Sequence, residues 1–340
     1  MRNARMVTRL ASENMITVVV LLFFLVLSFA VPNFFTLDNF INILVTGSIV
    51  GIMAAALSAL IISGGIDLSI GSLMGLGGMV SIALLQSSYG STGSMKSIFN
   101  APWPVAISLG VLVPAVIGLV SGLIVVYLNI NPFIITLGML MIVRGLTYLF
   151  GDFAVQQIGR GTVVVVNNPI YKVIGNGKVF SLVPAPVIVF LCAMSLFWFL
   201  LERTAYGRAL YAIGGNQETA RLSGISIKRC RIVAHVLTAA FAGIAGIVYA
   251  CRIMTATPLA GDGYEMDVIS ACVIGGVSMM GGQGRMWKVL VGVFMISILS
   301  NGLNLMNVPS FYQYVVKGSI LMFAVAIDSY YKGNPRVSNV

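Results

Sequence analysis

The chain has 340 residues, 58% of them apolar and 9% charged, with a mean hydropathy of +0.99 and a formal charge of +10. Soluble domains carry roughly a quarter charged residues, so this composition cannot furnish a solvated surface, and the solvent is lipid. Disorder, a disulfide-rich secreted fold, collagen and a cytosolic enzyme are excluded, and the excess of Lys and Arg reads as loop topology rather than nucleic-acid binding.

Charged residues fence the membrane segments, because one at mid-bilayer costs about 2.5–3.5 kcal/mol. Glu13 and Asp38 enclose 24 uncharged residues, a helix of about 36 Å against roughly 30 Å of hydrocarbon. Asp67 and Lys96 are the next fences. Adding Pro, Gly and Asn boundaries predicts ten segments, near 15–31, 39–62, 68–85, 105–128, 132–149, 187–201, 232–250, 267–277, 287–306 and 314–327. The fold class is all-α and polytopic, one transmembrane domain over 1–340. The eighth segment and the region 63–72 look interrupted, as half-helices do. A cleavable signal peptide is the rival for the first segment, since Arg2, Arg5 and Arg9 precede an apolar run ending Ser28-Phe29-Ala30.

A cytoplasmic N-terminus places 13 of the 20 Lys and Arg inside, and both termini are then cytoplasmic. Lys96, Arg144, Arg160, Lys172, Lys178 and Arg252 fall outside or near the outer face, and Lys317 lies within the last helix. The segment 151–186 is a polar, extracytoplasmic stretch. Cys192, Cys230, Cys251 and Cys272 are scattered with no CxxC pair and read as packing residues. His235 is the only histidine and reads as a satisfied or interfacial side chain, and no metal site is expected.

Three connectors are more than turns. In the first, Gly64 and Gly65 break a helix and Asp67, followed by Ser69, is placed to cap the next one; a proton or ion site is the alternative. The second, 202–231, is read as a cytoplasmic loop holding a short helix capped by Asn216 and ended by Gly224 in the left-handed conformation. Such a helix is either a rigid knob that passes on a partner's movement or a plain surface helix. The third runs from Gly275 and Gly276 to the GGQG at 281–284 and bends the chain between helices. No GxxxxGK[ST] occurs in the chain, so it is not expected to hydrolyse ATP itself. A weak echo links Ser58-Ala59-Leu60-Ile61-Ile62-Ser63-Gly64-Gly65 with Ser270-Ala271-Cys272-Val273-Ile274-Gly275-Gly276.

GGIDLS at 64–69, NPFIITLG at 131–138, GGNQETARLSGI at 214–225 and YEMDVISACVIGG at 264–276 followed by MMGGQG occur in one order along nearly the whole chain. Together they resemble the permease subunits of bacterial ABC importers for ribose, galactose, arabinose and related sugars. The second and fourth strings are similar to the galactose/methyl-galactoside branch and GGIDLS to the ribose branch, while Arg285 and Trp287 stand where smaller residues are expected. The resemblance implies a pair of copies around a pore, fed by a periplasmic sugar-binding protein and driven by a separate ATP-binding subunit that carries ATP and Mg. The family's EAA-like coupling motif falls on Glu218, Ala220 and Gly224, with Thr219 at the second Ala position, and Asn216 and Arg221 belong to the same helix.

A neutral sugar needs hydroxyl and amide partners, which makes Ser121, Asn301 and Asn304 candidate path residues; interhelical hydrogen bonding is their alternative use. No catalytic residue and no bound cofactor are expected in the chain. The rival function is an ion-coupled secondary transporter, for which Asp67 and Asp267 are the acids beside broken helices.

Overall fold

The computed structural model describes residues 17–85, 101–155, 164–165, 168–179 and 182–333. Arg2, Arg5, Arg9, Glu13, Lys96, Arg160 and Arg336, on which part of the topology argument rests, lie outside the described residues. In chain order the elements are α1 (Thr17–Ala30), α2 (Leu37–Ile62), α3 (Ile70–Leu84), α4 (Trp103–Leu128), α5 (Pro132–Val155), β1 (Val164–Val165), α6 (Pro169–Asn176), β2 (Lys178–Val179) and β3 (Val183–Pro184). There follow α7 (Ala185–Arg203), α8 (Ala205–Gly215), α9 (Gln217–Leu222), α10 (Ile227–Ile253), β4 (Thr255–Ala256), α11 (Tyr264–Ile274), α12 (Met286–Leu305) and α13 (Ser310–Gly333).

Each of the ten expected segments coincides with a helix. Six helices (α2, α4, α5, α7, α10 and α12) are long and apolar enough to cross a membrane, and α1 and α3 are shorter apolar helices. α11, at 11 residues, reaches about 16 Å, half a bilayer. The β elements are two-residue pairs, β1 with β4 and β2 with β3, at the ends of helices.

The described parts of 151–186 and the segment 202–231 hold helices beyond those the sequence placed there. The first contains α6, capped by Asn168, whose Oδ1 accepts from Ile170 N–H at 2.9 Å. The second is mostly helix rather than loop: Thr204 Oγ1 caps α8 by accepting from Gly207 N–H at 3.1 Å, and α10 starts at Ile227 instead of 232. Charge fences cut α10 short because they mark the edge of the hydrocarbon, whereas its 27 residues extend about 40 Å.

α2, α3 and α10 form the centre, and every residue of α3 is buried. Glycines let these backbones touch: a Cβ on Gly246 would stand 1.9 Å from Met74 O, and one on Gly78 2.7 Å from Gly246 O. Pro114, inside α4, has no N–H to offer the Gly110 carbonyl. That oxygen faces Gly77 and Gly243 instead, where a Cβ would lie 2.8 and 2.7 Å away. α4 and α5 turn Leu112, Val116, Phe133, Ile134 and Met141 outward, an apolar surface suited to lipid. Lys317, within α13, is neutralised by Asp267 of α11 at 2.8 Å, with both side chains largely buried.

Candidate functional site

The three connectors meet. α2 ends with Gly64 at φ +79°, Gly64 N–H donating to Ile61 O at 2.8 Å and Gly65 N–H to Leu60 O at 3.0 Å. α11 ends identically: Gly276 has φ +75°, its N–H donates to Val273 O at 2.8 Å, and Val277 N–H donates to Cys272 O at 3.0 Å. Both are left-handed glycine caps of the Schellman type, with the paired residues falling at matching places in the Ser58 and Ser270 strings. The sequence echo therefore records one cap used twice.

Between these caps the chain packs glycine on glycine. A Cβ on Gly214 would lie 1.9 Å from Ile62 O and 2.3 Å from Gly282 N, one on Gly281 3.1 Å from Gly64 Cα, and one on Gly282 2.8 Å from Gly215 Cα. Gly282 N–H donates to Ile62 O at 2.8 Å. Gly275 closes the other side, since its Cβ would meet Lys288 O and Val289 Cα, both at 2.7 Å. Two phenols brace α8. Tyr206 Oη donates to Cys230 O at 3.0 Å and Tyr211 Oη to Gly284 O at 2.8 Å. Burial pushes both phenols above their usual range, so they remain donors.

α9 projects from this junction. Asn216 Oδ1 accepts from Thr219 N–H at 2.9 Å, capping it as expected. Gly224 at φ +79° ends it, with Gly224 N–H on Arg221 O at 3.0 Å and Ile225 N–H on Ala220 O at 3.1 Å. Glu218 and Arg221 pair through two hydrogen bonds of 2.6 and 3.0 Å, and this partner holds the Glu218 carboxyl below its usual range. Ala220 faces inward at 2% exposure while Leu222 stands 74% exposed at the tip. The helix thus offers a partner an apolar point flanked by an ion pair.

One side chain ties α9 to the break after α2. Arg231 Nη2 donates to Ser63 O at 3.1 Å and to Gln217 Oε1 at 3.3 Å. Beyond it lie Asp67 and His235, at 0% and 1% exposure. Asp67 does not cap α3 in the expected way: its Oδ1 accepts from Ser69 N–H at 2.8 Å and Ser69 Oγ at 2.6 Å, two residues along. Ser69 becomes the N-cap residue, with its hydroxyl already engaged. His235 is fully buried, and among the described residues its Nδ1, Asp67 Oδ2 and Arg231 Nε have no hydrogen-bond partner. The charges of Asp67 and Arg231 both act on His235.

A family model described as "Branched-chain amino acid transport system / permease component" matches residues 39–325. The chain belongs to this permease family. It is similar to the ribose import permease protein RbsC of Escherichia coli K12, with 37% identity covering 88% of each chain. It is also similar to the galactose/methyl galactoside import permease protein MglC of Salmonella typhimurium LT2, with 35% identity covering 93% of this chain and 94% of that one. RbsC of Bacillus subtilis 168 is 36% identical over 89% of this chain and 88% of its own. No solved structure matches significantly. The permease is a multi-pass protein of the bacterial inner membrane.

Within the permease, the candidate path residues stand apart from the junction. Ser121 Oγ donates to Gly118 O within α4 at 3.1 Å. Asn301 Nδ2 donates to Asn39 Oδ1 at 2.9 Å, joining α12 to α2, and Asn304 Oδ1 accepts from Gln313 Nε2 at 2.9 Å, joining α12 to α13. All three side chains hold intrahelical or interhelical bonds. Sequence reasoning passed over Arg231, Gly214 and Tyr211. The signal for the glycines was present as doublets at 64–65, 214–215 and 281–282, read separately.

Proposed function

We propose that the chain is the pore-forming subunit of an ATP-driven importer of a monosaccharide, galactose/methyl-galactoside or a related sugar such as ribose. It spans the inner membrane about ten times with both termini cytoplasmic, works beside a second copy of itself, and receives the sugar from a periplasmic binding protein. ATP and Mg bind a separate ATP-binding subunit, and this chain performs no covalent step. The observation that carries the reading is the glycine junction. α9 is rooted through Gly214 and Gly215 in the same contact that ends α2 and turns α11 into α12. A push on α9 therefore has a short, stiff route to two broken helices. Movement of those helices opens the path alternately to either side. The named relatives import ribose and galactose, which supports the substrate class.

The test is uptake by the reconstituted complex with its ATP-binding subunit and binding protein. Glu218→Lys, which reverses the exposed pair, and Gly224→Trp, which forces a bulky residue to φ +79°, should weaken docking and lower uptake while insertion persists. Normal uptake in both removes the coupling role. Asp67 and His235 are the groups an ion-coupled carrier would use, so solute accumulation by the chain alone on an ion gradient would replace this reading with that one. Labelling of a cysteine at Ser226 from outside intact cells would overturn the orientation.

A further inference from the structure

Leu191, Met194, Ser195, Trp198, Leu201 and Glu202 of α7 fall at spacings of 3, 4, 7, 10 and 11 from the first, a single helical stripe in which Leu191, Ser195, Trp198 and Glu202 are exposed and Met194 and Leu201 form the buried floor. The stripe faces the start of α12. Its upper part and Trp287 and Leu290 of α12 line an apolar groove of about 220 Å³. Its lower part opens into a polar cleft of about 660 Å³ containing Glu202, Arg208, Tyr211 and Arg285, with Trp287 shared between groove and cleft. A further recess of about 400 Å³ adds Lys288 on the far side of Arg285. From Leu191 to Glu202 is about 16 Å along the helix, the depth of one leaflet's hydrocarbon.

The charges are one-sided. Arg208, Arg285 and Lys288 meet a single carboxylate, Glu202, and among the described residues none of the four is in an ion pair. Two tryptophans flank the groove at the level where it turns polar, each with a cation over its ring: Arg203 over Trp198 at 5.8 Å and Lys288 over Trp287 at 5.6 Å. Tryptophan with adjacent Lys or Arg marks the headgroup level of a bilayer. A free anion would use the basic cleft and leave the groove unexplained. An acidic protein loop would do the same, because the groove is apolar and lies between two helices long and apolar enough to cross a membrane. A molecule with one negative head and a long apolar chain fits both parts at once.

We propose that the α7–α12 seam is a binding site for an anionic glycerophospholipid, its phosphate among Arg208, Arg285 and Lys288 and one acyl chain laid along the α7 stripe. The site is separate from the coupling role assigned to α9. Only three tryptophans occur in the chain, so Trp103→Phe leaves Trp198 and Trp287 as reporters on either side of the groove.

The experiment measures tryptophan quenching in the full-length W103F chain, held in vesicles of unlabelled phosphatidylcholine titrated with brominated phosphatidylglycerol or brominated phosphatidylcholine. Phosphatidylglycerol should quench at markedly lower mole fraction. R208Q/R285Q/K288Q should erase that preference, about fivefold for each charge removed. Ser195→Phe, at an exposed position, should reduce quenching by both lipids by filling the groove. Glu218→Lys should leave the preference intact, so failure of the coupling reading and of this one are distinguishable. Equal quenching by the two lipids, an unchanged preference in the triple variant, or displacement by inorganic phosphate alone would overturn the proposal. So would loss of ATP-binding-subunit affinity in the triple variant with lipid preference preserved, which would make the cleft a protein-docking surface.

Discussion

Adding one methyl group at Gly214 tests the junction directly. In Gly214→Ala the new Cβ would stand 1.9 Å from Ile62 O and 2.3 Å from Gly282 N, where ordinary contact begins near 3.4 Å. Both opposing atoms belong to the backbone, so no rotamer change relieves the clash, and α8 must retreat from the end of α2 by about 1.5 Å. Overpacking of this kind costs about 1–3 kcal/mol, and separating the half-buried Gly282 N–H from Ile62 O loses a hydrogen bond worth about 0.5–1.5 kcal/mol more. The neighbouring Gly215→Ala is the control, because its Cβ would meet nothing within 4 Å. In the complex with its ATP-binding subunit, Gly214→Ala should lower the sugar moved per ATP hydrolysed and the thermal stability of the permease. Gly215→Ala should resemble the parent chain in both. Equal behaviour of the two variants would refute the argument that contact between α8 and the α2 end carries the coupling.

Arg231→Gln removes the bond to Ser63 O while leaving the Asn216 and Gly224 caps untouched. It should keep the ATP-binding subunit bound yet reduce uptake per ATP, with partial rescue by Arg231→Lys; an unchanged ratio would show that Arg231 plays no part in coupling. Asn301→Ala takes the donor away from Asn39, so it should lower thermal stability by about 0.6–2 kcal/mol with the order of preference among sugars unchanged. A reordered sugar preference in competition uptake assays would put Asn301 on the path instead.

What the sequence disclosed follows the reach of the forces involved. Lipid forbids unpaired backbone, so long apolar runs have to be helices and their positions could be read directly. The helix break at Gly64, the left-handed cap at Gly224 and the bend at Gly276 were legible because each is a local demand that glycine meets. α8 was missed because its only local signal was the Thr204 cap, while Tyr206 and Tyr211 hold it by reaching Cys230 and Gly284 in distant parts of the chain. The same holds for Arg231, whose partners lie 168 and 14 residues away. Asp67 was read as the cap of α3, whereas its carboxylate holds Ser69, the N-cap residue, because Asx turns and N-caps share one residue preference.

The Gly110 carbonyl, which lacks its helical donor at Pro114, has a consequence for how the molecule can deform. Pro114 frees that oxygen, and the backbones of Gly77 and Gly243 close upon it, so α3, α4 and α10 are joined at main-chain distance with no flexible side chains between them. A joint of that kind tolerates little sliding. These three helices are held as one body, the part of the molecule least able to slide or shear.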